Sequence, residues 1–307
     1  MMYFLLITGF VLLIKGADFF VDGSSAVAKK FKVSPLIIGM TIVAMGTSLP
    51  ETSVSVSASL AGKNDLSISN VVGSNIFNLM IVAGVCAVFN RLPVSGIALK
   101  RDFPVSVAAA LVLIGFGGLL GEVPRYGGLI LLLLFAGFLW LMIHSALKAR
   151  EEADEEYKDI ANWKCVLFIL GGIAAIAAGG KMVVEGASDI ARNFGMSDNL
   201  IGMTIVALGT SLPELVTSIV AARKKETDMA LGNVIGSNIF NILFVLGIAA
   251  TISPMGFTLE NTIDTAFLIA VSLMVMTFCI PKKQLERWHG IAMILLYSGY
   301  TAYLFVR

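Results

Sequence analysis

Charge is scarce in this 307-residue chain: Asp, Glu, Lys and Arg make up 14% of it. Soluble domains carry about a quarter, so a water-exposed globular class is excluded. The few charges nearly cancel, at a net +1, leaving no basic surface for nucleic acid and no acidic tail. Cysteine is scarcer still. Cys86, Cys165 and Cys279 sit in or beside apolar runs, and their odd number argues against a disulfide framework and for buried, inert thiols. The two histidines, His144 and His289, lie near the ends of apolar runs and read as interfacial residues rather than ligands. The opening Met1-Met2-Tyr3-Phe4 has no basic region and no small-residue cleavage site, so the first apolar run is expected to be a retained span rather than a signal peptide.

What the chain has instead is apolar length. Hydrophobic residues reach 57% and the mean hydropathy is +0.88. A bilayer span takes about 20 residues, and ten runs fit: Met2–Val27, Pro35–Ala61, Leu66–Phe89, Phe103–Leu120, Tyr126–Ala146, Trp163–Ala191, Asn199–Ala222, Met229–Ile252, Thr262–Ile280 and His289–Val306. The first and sixth are long and carry charges (Lys15, Asp18, Asp22; Lys181, Glu185, Asp189), so they are expected to be tilted or partly exposed.

The chain also repeats itself. Gly39–Glu51, GMTIVAMGTSLPE, returns as Gly202–Glu214, GMTIVALGTSLPE, differing only at Met45 against Leu208. The offset of 163 holds without a gap from Asp22/Glu185 to Asn78/Asn241. It divides the chain into a five-span repeat over residues 1–147, a linker over 148–162 and a second five-span repeat over 163–307. Five is odd, so the second copy enters the membrane from the opposite side, and the two halves form an inverted repeat of the kind secondary transporters use. The fold class expected is an all-α polytopic membrane protein of ten helices, with the second and seventh broken.

Basic residues orient it. Sixteen Lys and Arg fall in the connections after the odd-numbered spans (Lys29, Lys30, Lys32; Arg91, Lys100, Arg101; Lys148, Arg150, Lys158, Lys164; Arg223, Lys224, Lys225; Lys282, Lys283, Arg287), and four fall on the other side (Lys63, Arg125, Arg192, Arg307). The expectation is a multi-pass cell-membrane protein with both termini outside and a cytoplasmic central loop. That loop holds Glu151, Glu152, Asp154, Glu155, Glu156 and Asp159 without EF-hand spacing, and reads as a solvated linker.

The repeated stretch carries the chemistry. Glu51 and Glu214 are carboxylates within apolar runs, costly at membrane depth and therefore functional candidates. Between Lys32 and Lys63 the midpoint is Thr47/Ser48, inside Gly46-Thr47-Ser48-Leu49-Pro50, where glycine and proline loosen the helix near the bilayer centre. Carbonyls freed there, such as that of Ala44, need a polar cavity or an ion. Ser48-Leu49-Pro50-Glu51 is also a capping box, so a capped half-helix starting at mid-membrane is expected in each copy. In the next span Asn70, Ser74 and Asn78 share a helical face, repeated as Asn233, Ser237 and Asn241. Interhelical hydrogen bonding explains such a stripe on its own; beside paired glutamates it reads as ligands. Two carboxylates with Thr, Ser, Asn and carbonyl oxygens, and no His or Cys, suit Ca2+, Na+ or Mg2+ rather than zinc or copper. Two glutamates neutralise one Ca2+, and several Na+ could meet them in turn.

These motifs resemble the alpha repeats of the cation/calcium antiporter superfamily, and GTSLPE with GSNIFN is most similar to its prokaryotic sodium/calcium exchanger branch. The resemblance covers essentially the whole chain. It implies alternating access, exchange of about three Na+ for one Ca2+, and first and sixth spans that slide past a static eight-helix core. It further implies a Ca2+ site of Glu51, Glu214, Thr47 and Thr210. Flanking Na+ sites would come from Ser48, Ser211, Ser74, Ser237 and the carbonyls of Ala44 and Ala207, with Asn78 and Asn241 at the centre. Potassium-dependent relatives carry Asp where this chain has Asn241, so K+ co-transport is not expected.

The expected function is electrogenic Na+/Ca2+ antiport, with no resident cofactor, no nucleic acid and no evident obligate protein partner beyond the lipid bilayer. The alternative is exchange of H+ for Ca2+ or another divalent cation, because desolvated glutamates can carry protons. An intramembrane hydrolase would need a carboxylate dyad without the Thr, Ser and Asn surround, and a channel does not need a closed inverted-repeat site.

Overall fold

The structure, a computed structural model, describes residues 2–151, 162–197 and 201–306. Within these it is almost wholly helical. In chain order the helices are α1 (Met2–Phe31), α2 (Pro35–Thr47), α3 (Leu49–Leu60), α4 (Leu66–Phe89), α5 (Ala98–Leu120), α6 (Arg125–Glu151) and α7 (Asn162–Asn193). There follow α8 (Gly202–Val206 continuing as Ala207–Gly209), α9 (Leu212–Arg223), α10 (Thr227–Ile252), α11 (Leu259–Cys279) and α12 (Arg287–Val306). Eight of the described helices are long and apolar enough to cross a bilayer, and α2 with α3, bent by 49° at their junction, makes a ninth span. The α8/α9 pair stands where an offset of 163 places the counterpart of α2/α3, in keeping with ten. Most of the acidic run in the central loop, with Lys158, lies outside the described residues, as does the start of the seventh expected span.

The inversion can be read from packing. Gly9 of α1 lies against Gly179 and Val183 of α7, Gly16 against Gly172 and Ile176, and Gly23 against Ile169. One number rises as the other falls, so these repeat-related helices run antiparallel. Their backbones meet because the glycines leave room: a Cβ on Gly179 would stand 2.7 Å from the Gly9 carbonyl oxygen.

The connections collect at two ends. At end A, β1 (Leu92–Pro93) pairs with β4 (Gln284–Leu285), and Asn90 Nδ2 donates to the Ala222 carbonyl. At end B, β2 (Glu122–Val123) pairs with β3 (Met255–Gly256), and Asn64 Nδ2 donates to Ser253 Oγ. Each two-residue ladder ties a connection of one half to a connection of the other. The basic connections lie at end A.

Burial separates the helices into layers. About 78% of the apolar window of both α4 and α10 is buried, against 33% for α1 and 28% for α7. The core is therefore α4 and α10 with the broken helices beside them; α1 and α7 pack on each other as a peripheral pair, and α6 and α12, at 33% and 17%, are peripheral too. Lys15, Asp18 and Asp22 of α1 and Lys181, Glu185 and Asp189 of α7 are partly or largely exposed, as the charge pattern of those long runs predicts. Cys86, Cys165 and Cys279 are buried and free. His289 is buried against Phe278 and Trp288 and accepts from the Glu286 amide, while His144 stacks on Trp140.

Candidate cation site

The two broken helices meet the two central helices at the middle of the molecule, and irregular backbone is what brings their oxygens there. The break is one residue in the first copy, Ser48 at φ −86°, ψ 14°, and two in the second, Thr210 and Ser211, with Ser211 at φ −91°, ψ 4°. Proline follows two residues later, at the start of α3 and α9, where its missing N–H costs nothing. Four π-helical turns accompany the breaks: Gly39–Val43 and Gly202–Val206 before them, Asn78–Val82 and Asn241–Val245 in the central helices. Their offset is again 163. A π turn is a strained form that concentrates at functional sites, and glycine and proline counting does not reveal it.

The expected capping box does not form. Ser48 and Ser211 stand at the N-cap positions of α3 and α9, yet neither side chain caps its helix. The hydroxyls cross to the other half instead. Ser48 Oγ donates to Glu214 Oε1 at 2.7 Å, and Ser211 Oγ lies 3.2 Å from Glu51 Oε1 and 3.0 Å from Ser74 Oγ. Each hydroxyl donates to a carboxylate across the site, a strong partner, and in that orientation its oxygen does not accept from the amides of its own helix.

Thr47 Oγ1 lies 3.2 Å from the Val43 carbonyl, 3.3 Å from that of Ala44 and 3.1 Å from Asn233 Oδ1. Thr210 Oγ1 lies 3.3 Å from the Ala207 carbonyl. Ser237 Oγ stands 3.5 Å from Asn233 Oδ1. Asn70 and Asn233 tie helices together: Asn70 Nδ2 donates to Ser55 Oγ and Asn233 Nδ2 to Ser218 Oγ. For these two the interhelical reading of the polar stripe holds.

The spacing argument misses Asn75 and Asn238, which organise the centre. Asn75 Nδ2 donates to the Asn238 carbonyl at 3.0 Å, and Asn238 Nδ2 returns to the Asn75 carbonyl at 3.2 Å, a reciprocal pair across the two halves. Their side-chain oxygens hold the amides of the two central asparagines: Asn78 Nδ2 to Asn238 Oδ1, and Asn241 Nδ2 to Asn75 Oδ1. With its nitrogen so fixed, each central asparagine presents its oxygen elsewhere.

The result is a set of buried acceptors without donors. Glu51 Oε2, Glu214 Oε2, Asn78 Oδ1 and Asn241 Oδ1 have no hydrogen-bond partner, and all four residues are fully buried. Unsatisfied buried oxygens are costly. Four of them stand in two matched pairs, and oxygens of this kind are what a hard cation takes as ligands. Among the described residues no group of three or more His, Cys, Asp or Glu could hold a metal ion, so the charge of the site comes from the two glutamates.

The two walls of this site are not alike. Ala44, Thr47 and Ser48 are fully buried, whereas Ala207 is exposed and Thr210 half-buried, with Val206 at 41% and Leu208 at 40%. The matching difference lies in the glycines. A Cβ on Gly236 would fall 2.5 Å from the Met40 Cα, while its counterpart Gly73 has no atom within 4 Å. At the end-A side α2 lies backbone to backbone on α10, whereas at the end-B side α8 is exposed and stands clear of α4.

A family model described as the sodium/calcium exchanger protein matches residues 1–144 and 164–306, nearly the whole chain in two blocks. The chain belongs to the sodium/calcium exchanger family. It is 32% identical to the sodium/calcium exchanger MaX1 of Methanosarcina acetivorans, over 99% of this chain and 98% of that one. It is 37% identical to the inner membrane protein YrbG of Escherichia coli, covering 98% and 94% of the two chains. Its structure matches that of the sodium-calcium exchanger NCX_Mj soaked with Na+ and Sr2+, with a TM-score of 0.87, 33% identity and 98% coverage of both chains. Membership makes the all-helical membrane fold a transporter fold, and the two blocks of the family match flank the central loop, most of whose acidic run lies outside the described residues.

Proposed function

We propose that the protein is a secondary antiporter of the cell membrane that exchanges Na+ for Ca2+ by alternating access, about three for one and electrogenically. The observation that carries this reading is the set of four orphaned oxygens on Glu51, Glu214, Asn78 and Asn241. Ca2+ prefers six to eight oxygen ligands, and two carboxylates cancel its charge. Ca2+ is therefore assigned to Glu51 and Glu214 with Thr47 and Thr210. Na+ is assigned to the flanks, where Ser48, Ser211, Ser74, Ser237 and the carbonyls of Ala44 and Ala207 surround the same carboxylates, with Asn78 and Asn241 central. Because both ions need the same two charges, neither can be held while the other is, which is the condition for exchange.

The Lys and Arg count supports placing end A in the cytoplasm, with both termini and end B outside. The uncovered α8 wall then makes this the outward-open form. The repeats are assigned to residues 1–147 and 163–307, with 148–162 as a cytoplasmic linker.

The test is Ca2+ uptake into proteoliposomes loaded with Na+ or with choline. The reading predicts uptake from Na+-loaded vesicles alone. Equal uptake from choline-loaded vesicles under a pH gradient would assign the counter-ion to protons and overturn it.

A further inference from the structure

The peripheral pair leans on the site at both breaks. A Cβ on Gly46 would fall 2.7 Å from the Phe20 ring of α1, and one on Gly209 would collide with Val184 Cγ2 of α7. These glycines sit two residues before Ser48 and Ser211, so the position of the pair along its axis bears directly on which wall is covered.

That position is tied by one basic side chain at the C-cap of α9. Lys224 Nζ donates to Asp22 Oδ1 at 2.7 Å and to the Asp18 carbonyl at 3.0 Å, and lies 3.4 Å from Asp18 Oδ1. Asp18 and Asp22 are one helical turn apart, so both carboxylates face the lysine in the present register. A shift of α1 by one turn, about 5.4 Å, leaves one aspartate beside Lys224, with Ile14 or Ala26 in the place of the other.

The tie has no counterpart at the repeat-related positions. At the repeat offset of 163, the counterparts of Asp18, Asp22 and Lys224 are Lys181, Glu185 and Ala61. Lys181 pairs with Glu185 on α7 itself, at 3.8 Å, and Ala61 carries no charge to grip that helix. Two halves that match residue for residue around the ion site therefore differ where the peripheral pair is held.

We propose that Lys224 is a positioning residue of the transport cycle: by holding Asp18 and Asp22 it keeps the α1/α7 pair in the register that leaves the site open toward end B. The inference rests on the antiport reading for its meaning. The groups are partly exposed, and such ion pairs shift an equilibrium a few-fold rather than locking it. A transporter that must keep cycling needs a bias of that size and no larger.

The experiment uses a single cysteine reporter, Val206→Cys on the exposed α8 wall, with Cys86, Cys165 and Cys279 replaced by alanine. The rate of modification by a hydrophilic maleimide, in detergent and without Ca2+, reads the population open toward end B. Lys224→Ala is expected to lower the rate about two- to five-fold, with Lys224→Arg near the parent value and Lys224→Asp with Asp22→Lys restoring it. Asp22→Asn serves as a second disruption if Lys224→Ala does not fold. An unchanged rate in the disrupted variants, or a reduction that the charge exchange fails to restore, would overturn the proposal. Labelling needs no Na+ gradient, so a failure of Na+-driven uptake with these rate differences intact would count against the antiport reading alone.

Discussion

Glu51 and Glu214 each spend one carboxylate oxygen on a serine from the opposite half and leave the other without a partner. Removing either charge leaves a divalent ion half-neutralised in a medium of low dielectric, where one unit charge at about 4 Å is worth about 4 kcal/mol. Glu51→Gln and Glu214→Gln are each predicted to lower Ca2+ affinity by a factor on the order of 100 or more and to abolish flux, while the protein still inserts. Isothermal titration of purified protein checks this, and near-native binding in either variant contradicts the shared site. Asn75 and Asn238 act one step back, by fixing the amides of Asn241 and Asn78. Asn75→Ala is predicted to weaken Ca2+ binding about 10-fold, the usual cost of losing a residue that orients a ligand; unchanged affinity would mean that Asn241 needs no support. The glutamates, Thr47, Ser48 and Asn78 were legible in the sequence because charge and polarity stand out in an apolar run. Asn75 was not, because i,i+4 spacing selects one helical face, and its partner lies across the interface between the halves.

The helices add what single residues cannot show, a difference between chemically identical copies. α2 is shut against α10 through Gly39, Gly232 and Gly236, while α8 stands away from α4. If the opposite state is the mirrored one, Gly73 must then accept the contact that Gly236 makes now. Gly236→Ala is predicted to destabilise the present state by about 1–3 kcal/mol through overpacking, seen as a lower melting temperature. Gly73→Ala, with open space around it, is predicted to leave the melting temperature unchanged or slightly higher and yet to slow turnover, since it obstructs the state closed toward end B. A Gly73→Ala protein that exchanges at the parent rate would show that closure there does not use the mirrored packing. Span positions were readable from hydropathy to within a few residues, as were the breaks at Ser48 and Ser211. The π turns and the failed capping boxes were not, because both depend on where a hydroxyl or carbonyl finds its partner in three dimensions.

Taken whole, the molecule places a two-charge site at the pseudo-twofold between inverted halves, with a peripheral helix pair against both breaks. The inversion followed from counting spans, and packing of α1 on α7 agrees with it. Which end is open could not be read from sequence, since GMTIVAMGTSLPE and GMTIVALGTSLPE are nearly the same string. The central claim is that Na+ and Ca2+ take turns on Glu51 and Glu214 with a net movement of charge. The most direct measurement is Ca2+ uptake into Na+-loaded proteoliposomes, with and without an outward Na+ gradient, at membrane potentials clamped by an ionophore. The account predicts uptake that needs the gradient and speeds up as the interior is made more positive, because about three Na+ leaving for each Ca2+ entering carry one net positive charge outward. Uptake that ignores both the gradient and the potential would contradict it.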